Sequence, residues 1–198
     1  MKSGALFKTA KDIAFIAIMT ALLIASQLVL SAAAGVEVVT VLFLSYCYVF
    51  GVLRGLVVAN CFSLLRCLLF GFVPNVIILY LVYYNLFALT IGLLGKFTKN
   101  ISQWKSLIIT VAVIAVLTAC FTLIDDLITP WMLAYGPRGK RVYFYNSLIT
   151  MAIQTVCAVV TTSLMFLPLR RAFEILSGKG SKEESSELLQ SNVENKEQ

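Results

Sequence analysis

The sequence predicts an all-α integral membrane protein, a six-transmembrane-helix bundle with both termini in the cytoplasm, and three observations carry that expectation. Apolar residues make up 60% of the 198 residues and charged residues only 13%, against roughly 45–50% and about 25% in soluble domains. The apolar residues fall into about six runs near the ~20 residues that cross a bilayer. The basic residues beside those runs are unequally shared: Lys8, Lys11, Arg54, Lys96, Lys99, Lys105, Arg170 and Arg171 lie on one side, Arg138, Lys140 and Arg141 on the other. The richer side is the cytoplasmic one. Residues 1–12 read as a cytoplasmic leader, 13–175 as the bundle, and 176–198, rich in Ser, Glu and Lys, as a disordered cytoplasmic tail. The net charge of +6 is spread along span ends rather than gathered in one basic patch, so it reads as a topology signal and not as a nucleic-acid surface.

The first run, Ile13 to Leu30, follows lysines and precedes Ser31-Ala32-Ala33-Ala34, which resembles a signal peptide. It is longer than the ~7–15 residues of a signal core, so a retained helix is expected. Ala17, Ala21 and Ala25 recur four apart along it, a face on which another helix can approach closely; ordinary internal packing of alanines is the other reading. After a small-residue loop ending in Glu37, a second run spans Val38 to Leu53, and the Gly51 to Gly55 stretch makes a tight connection.

The third and fourth helices, within Arg54 to Lys96, are joined at Phe70-Gly71-Phe72-Val73-Pro74-Asn75. Arg66 lies 12 residues after Arg54, about 18 Å along a helix at ~1.5 Å per residue, where lipid does not tolerate a bare charge. An ionisable residue at that depth is a site candidate. At ~100° per residue it shares an arc with Asn60, Ser63, Cys67 and Phe70, while Tyr80, Tyr83, Tyr84 and Phe87 line one face of the next helix. Two readings stay open: Arg66 opposes an aromatic wall in a site, or it snorkels and the tyrosines form an interfacial belt.

A polar loop, Phe97 to Lys105, precedes a fifth run from Ser106 to Ile124. Asp125 to Val142 then reads as the longest outer loop, with Asp125 and Asp126 at a helix end, capping it or paired with Arg138, Lys140 or Arg141. The sixth run, Tyr143 to Leu167, carries Asn146, Thr150, Gln154, Cys157 and Thr161 in a narrow arc that faces helices or a cavity, and Pro168 with Arg170-Arg171 closes the membrane region.

Several chemistries are excluded. No G-x-x-x-x-G-K-[ST] phosphate loop occurs, so the chain does not hydrolyse ATP itself. With no histidine, metalloprotease motifs and Ser-His-Asp triads are absent. The five cysteines sit inside apolar runs without a CxxC, as small core residues rather than metal ligands. No cofactor, metal or enzymatic activity is expected. An outer cluster of charged, aromatic and amide groups on a small bundle is the layout of a membrane receptor for a small molecule.

The alanine-spaced first helix, the Leu-Phe-Gly-Phe-x-Pro turn at Leu69–Pro74, Gly-Leu-Leu-Gly-Lys at Gly92–Lys96 and Asp-Leu-Ile-Thr-Pro at Asp126–Pro130 together resemble, over residues 10–175, the substrate-binding S components of energy-coupling factor (ECF) transporters. That resemblance implies a capture subunit in a bacterial cell membrane, binding a vitamin or related micronutrient under its outer loops. It implies as partners a transmembrane coupling (T) subunit and two ABC ATPase subunits, with Ala17, Ala21 and Ala25 touching the coupling subunit. By position, the pocket would draw on Glu37, Arg66, Asn75, Tyr80 and Tyr84, and on Asp126, Trp131, Tyr135 and Asn146 from the last two spans. An MreD-like scaffold without a ligand is the alternative from another class.

Overall fold

The computed structural model describes residues 10–30, 38–98 and 101–177. The leader up to residue 9, Glu37 and the tail from residue 178 lie outside the described residues. Those described form six helices and no strand: α1 (Ala10–Leu30), α2 (Val38–Phe50), α3 (Val52–Phe70), α4 (Pro74–Phe97), α5 (Gln103–Met132) and α6 (Pro137–Leu176).

Five of the six are long and apolar enough to cross a membrane; α2, with 13 residues, is not. At ~1.5 Å per residue it reaches about 20 Å, short of the ~30 Å hydrocarbon layer. Its place explains its sequence. Thr40 to Val49 are all buried, because α1, α3, α4 and α6 pack around it, and a helix enclosed on every side is apolar on every side. The outer helices follow one another as an arc, α1 against α3, α3 against α4, α4 against α5 and α5 against α6. Their exposed faces carry residues such as Ile18, Val116 and Leu164.

In lipid the apolar effect does not draw helices together, so close fit and polar contacts must. Glycine supplies the fit where α4 meets the α2–α3 corner. A Cβ on Gly92 would come within 2.6 Å of the Val52 backbone nitrogen, and one on Gly55 within 2.8 Å of Cys47 Sγ. The corner itself is the single residue Gly51, at φ 83°, a conformation that side chains disfavour. The α3–α4 turn is punctuated by Gly71 at φ 100° and by Pro74 in the first turn of α4, with Val73 extended ahead of it as a residue before proline tends to be.

Polar contacts lock the end holding the start of α1. Asp12 pairs with Arg54 at 2.8 Å, and the Tyr48 hydroxyl lies 2.6 Å from Thr98 Oγ1 and 2.7 Å from Ser106 Oγ. Arg170 covers the Tyr48 ring at 5.0 Å and pairs with Glu174 at 2.8 Å.

Two expectations change. The stretch from Asp125 is not a long loop: α5 continues to Met132 and α6 begins at Pro137, leaving only 133–136 as the connection. Pro130 costs the Asp126 carbonyl its helical donor, yet it lies buried in the last turn beside Thr129, and Leu133 N–H still reaches the Thr129 carbonyl at 3.0 Å. Likewise Pro168 does not end α6, which runs on to Leu176.

Candidate functional site

The site candidates gather at the end of the bundle where α3, α5 and the α3–α4 turn finish. Asn75 Nδ2 donates to Thr129 Oγ1 at 3.1 Å, setting the start of α4 level with the last turn of α5. Tyr80 on α4 and Asp125 on α5 each lie about one turn inward of that bond.

An aromatic wall forms first. Tyr80 and Tyr84 lie 5.3 Å apart, Phe62 stacks edge-on to Tyr84 at 5.0 Å, and Phe121 of α5 reaches Tyr83 at 4.7 Å and Tyr80 at 6.1 Å. Ring pairs of this kind contribute about 0.5–1.5 kcal/mol each beyond burial. Arg66 sits against the wall. Its guanidinium carbon is 3.9 Å from the Tyr80 ring centre and 5.2 Å from Phe70, a cation–π arrangement whose worth grows with desolvation. Among the described residues no acceptor takes its N–H groups, and Nε is buried without a partner. Gln27 of α1 donates to the Tyr80 hydroxyl at 3.3 Å while its own Oε1 is buried and unpartnered.

Beyond Phe121 a cleft of about 340 Å³ opens between α5 and α6, at the lower end of the ~300–1,000 Å³ usual for small-molecule sites. From α5 come Phe121, Thr122 and Asp125; from α6 come Tyr143, Asn146, Ser147, Thr150 and Gln154. The carboxylates are held by hydroxyls. Asp125 accepts from Thr129 and from Tyr143, each at 2.6 Å, and Asp126 accepts from Ser147 at 2.6 Å while its Oδ1 is buried without a donor. The ion pairs expected with Arg138, Lys140 or Arg141 are not formed among the described residues, whose salt bridges are Asp12–Arg54 and Arg170–Glu174. Because α5 is helical here, both acids project along the helix toward α6 instead of into a loop beside the basic residues.

Of the sequence candidates, Arg66, Asn75, Tyr80, Tyr84, Asp126 and Asn146 come together around the wall and cleft. Trp131 is 77% exposed and does not line the cleft. Tyr135 is exposed too, set edge-on to Tyr143 at 6.0 Å. Ala17, Ala21 and Ala25 all lie on the exposed side of α1. Gln27, Phe121, Thr122 and Tyr143 were not singled out from the sequence. A signal for some of them was present: Thr118, Thr122, Asp125 and Thr129 recur at helical spacing on α5, the same pattern that marked the stripe on α6.

One polar pair midway along α3 and α4 stands outside this site. Asn60 and Asn85 exchange amide bonds at 3.0 and 3.1 Å, and each amide spends its remaining donor on a carbonyl one turn back. All four N–H groups are satisfied, so the pair fastens α3 to α4. Comparison with protein-family models, with curated proteins and with solved structures finds no match to this chain.

Proposed function

We propose that this chain is the membrane-embedded substrate-capture subunit of an ECF-type importer in a bacterial cell membrane and not an enzyme. It takes a vitamin or related micronutrient at its extracellular end and passes it to a T subunit driven by two ATPase subunits. In this reading α2 completes the sixth crossing as a short enclosed helix, both termini are cytoplasmic, and the cleft and aromatic wall face outward.

The observation that supports the reading is the gathering of Arg66, the tyrosine wall and the polar α5–α6 cleft at one end of an otherwise apolar bundle. A half-buried guanidinium whose Nε has no acceptor carries a desolvation cost that a ligand oxygen would offset with a charge-assisted hydrogen bond. Flat rings of the size of Tyr80 and Tyr84 suit a heteroaromatic ligand. The exposed alanines on α1 leave a face on which a coupling helix could pack closely.

The test is to titrate the detergent-purified protein with a panel of vitamins while following tryptophan emission, since Trp131 lies at the outer end and Trp104 at the other. Saturable quenching by one compound, weakened at least tenfold in Arg66→Met with the helical content unchanged, is expected. Silence across the panel from folded protein would remove the capture reading and leave the ligand-free scaffold.

A further inference from the structure

Resting on the capture reading above, we propose that the α5–α6 cleft is a subsite for a positively charged, hydrogen-bond-donating group of the ligand, such as a protonated amine, with Thr122 as its floor. Arg66 does not line this cleft, and neither does any lysine or arginine.

What lines it is rich in acceptors. Asp125 belongs to the wall of the cleft, and Asp126 stands next to it in the chain. Their partners Thr129, Tyr143 and Ser147 are neutral hydroxyls, which orient the carboxylates and leave their charge uncompensated. Arg138, Lys140 and Arg141, the cations nearest in the chain, are exposed and pair with neither acid. Adjacent carboxylates with no cation beside them leave a local negative field that favours a cationic group.

Thr122 supplies an independent observation. It is only 6% exposed and lines the cleft, yet its hydroxyl has no partner. Thr20, Thr90, Thr98 and Thr161 each donate to the carbonyl four residues back; Thr122 does not, and of the other buried threonine hydroxyls left without a partner, those of Thr110, Thr118, Thr155 and Thr162, none belongs to a residue lining the cleft. A buried hydroxyl left unmade costs on the order of 1–3 kcal/mol. The amides of Asn146 and Gln154 add acceptor oxygens opposite, and Phe121 and Tyr143 offer ring faces that favour a cation.

The experiment measures charge selectivity at the floor without needing the natural ligand. In the full chain with its five native cysteines replaced, reconstituted in liposomes, Thr122→Cys is reacted with 2-aminoethyl methanethiosulfonate and with 2-sulfonatoethyl methanethiosulfonate. Each forms a mixed disulfide and releases methanesulfinate; one is cationic, the other anionic. Relative to the same two reagents on free 2-mercaptoethanol, the cationic one should react at least tenfold faster, and Asp125→Asn should bring the ratio to within about threefold of that reference. A ratio is read because a carboxylate also slows thiolate formation, which affects both reagents alike. Thr150→Cys, across the cleft on α6, gives the same reading if the Thr122 variant does not fold. Equal or anion-favoured labelling would overturn the proposal, as would protection of both positions until the protein is denatured. A charge-selective cleft with a silent vitamin panel would sink the capture function but not the subsite; saturable binding without charge selectivity would do the reverse.

Discussion

At the scale of single residues, the end of the bundle that carries Asp125 and Asp126 is held by hydroxyl groups doing what cations were expected to do. Tyr143 donates to Asp125 Oδ2 at 2.6 Å, and bonds to charged acceptors contribute about 1.5–3 kcal/mol. Tyr143→Phe should therefore lower the thermal midpoint in detergent by an amount equivalent to about 1–3 kcal/mol. Tyr145→Phe, at an exposed neighbouring position, should stay within about 0.5 kcal/mol of the parent. Equal shifts for the two would show that the Asp125 bond is not made in solution. The pairing of Arg66 with the tyrosine face of the next helix was legible in the chain, because helical period sets each on one arc of its own helix, and the guanidinium does lie 3.9 Å from the Tyr80 ring centre. The partnerless state of Arg66 Nε and of Thr122 Oγ1 was not. Whether a side chain finds a partner depends on which helix faces it, and residue order does not encode that directly.

At the scale of elements, helix boundaries moved where prolines and charges imitate loops. Asp125-Asp126 and Pro130 break the apolar run and read as a connection, yet α5 keeps its helix through them to Met132. Tertiary contacts override the local signal there: the acids are met by α6 and Thr129 by Asn75. Glycines were informative in a different way. The sequence set the α2–α3 connection at Gly51 to Gly55, and the structure narrows it to Gly51, with Val52 to Gly55 already in α3, whereas Gly92 looked like any small residue in a span, and only the packing gives it a role against the Val52 backbone. Gly92→Ala should overpack that crossing and cost on the order of 1–3 kcal/mol, read as a lower thermal midpoint. Gly136→Ala, where an added Cβ meets nothing within 4 Å, should be neutral to about 0.5 kcal/mol. Comparable losses at both positions would contradict the close approach of α4 to the α2–α3 corner.

At the scale of the whole molecule, the bundle separates an inner enclosed helix from an outer arc whose exposed faces are apolar. The alanines of α1 belong to that exposed side, so Ala17→Leu with Ala21→Leu should leave the thermal midpoint of the isolated protein within about 0.5 kcal/mol of the parent in equivalent stability. On the proposed function, the same double variant purified from its own membranes should lose the coupling and ATPase subunits that accompany the parent chain. Retention of those subunits would move the docking face elsewhere, and a large drop in midpoint would show that the alanines pack internally. By itself the sequence determined that the chain is helical, apolar enough for a membrane and divided into six helical runs, because hydropathy and the 3.6-residue period are local properties of the chain. It also placed an arginine beside a tyrosine-bearing helix. Only the tertiary structure decided that α2 is the enclosed helix and that the last connection shrinks to four residues, 133–136. It alone decided that the acids face a cleft with α6 and not the basic residues beyond Gly136. Those outcomes depend on which helices touch and at what register, and in a membrane that is settled by shape and hydrogen-bond matching between surfaces far apart in the chain.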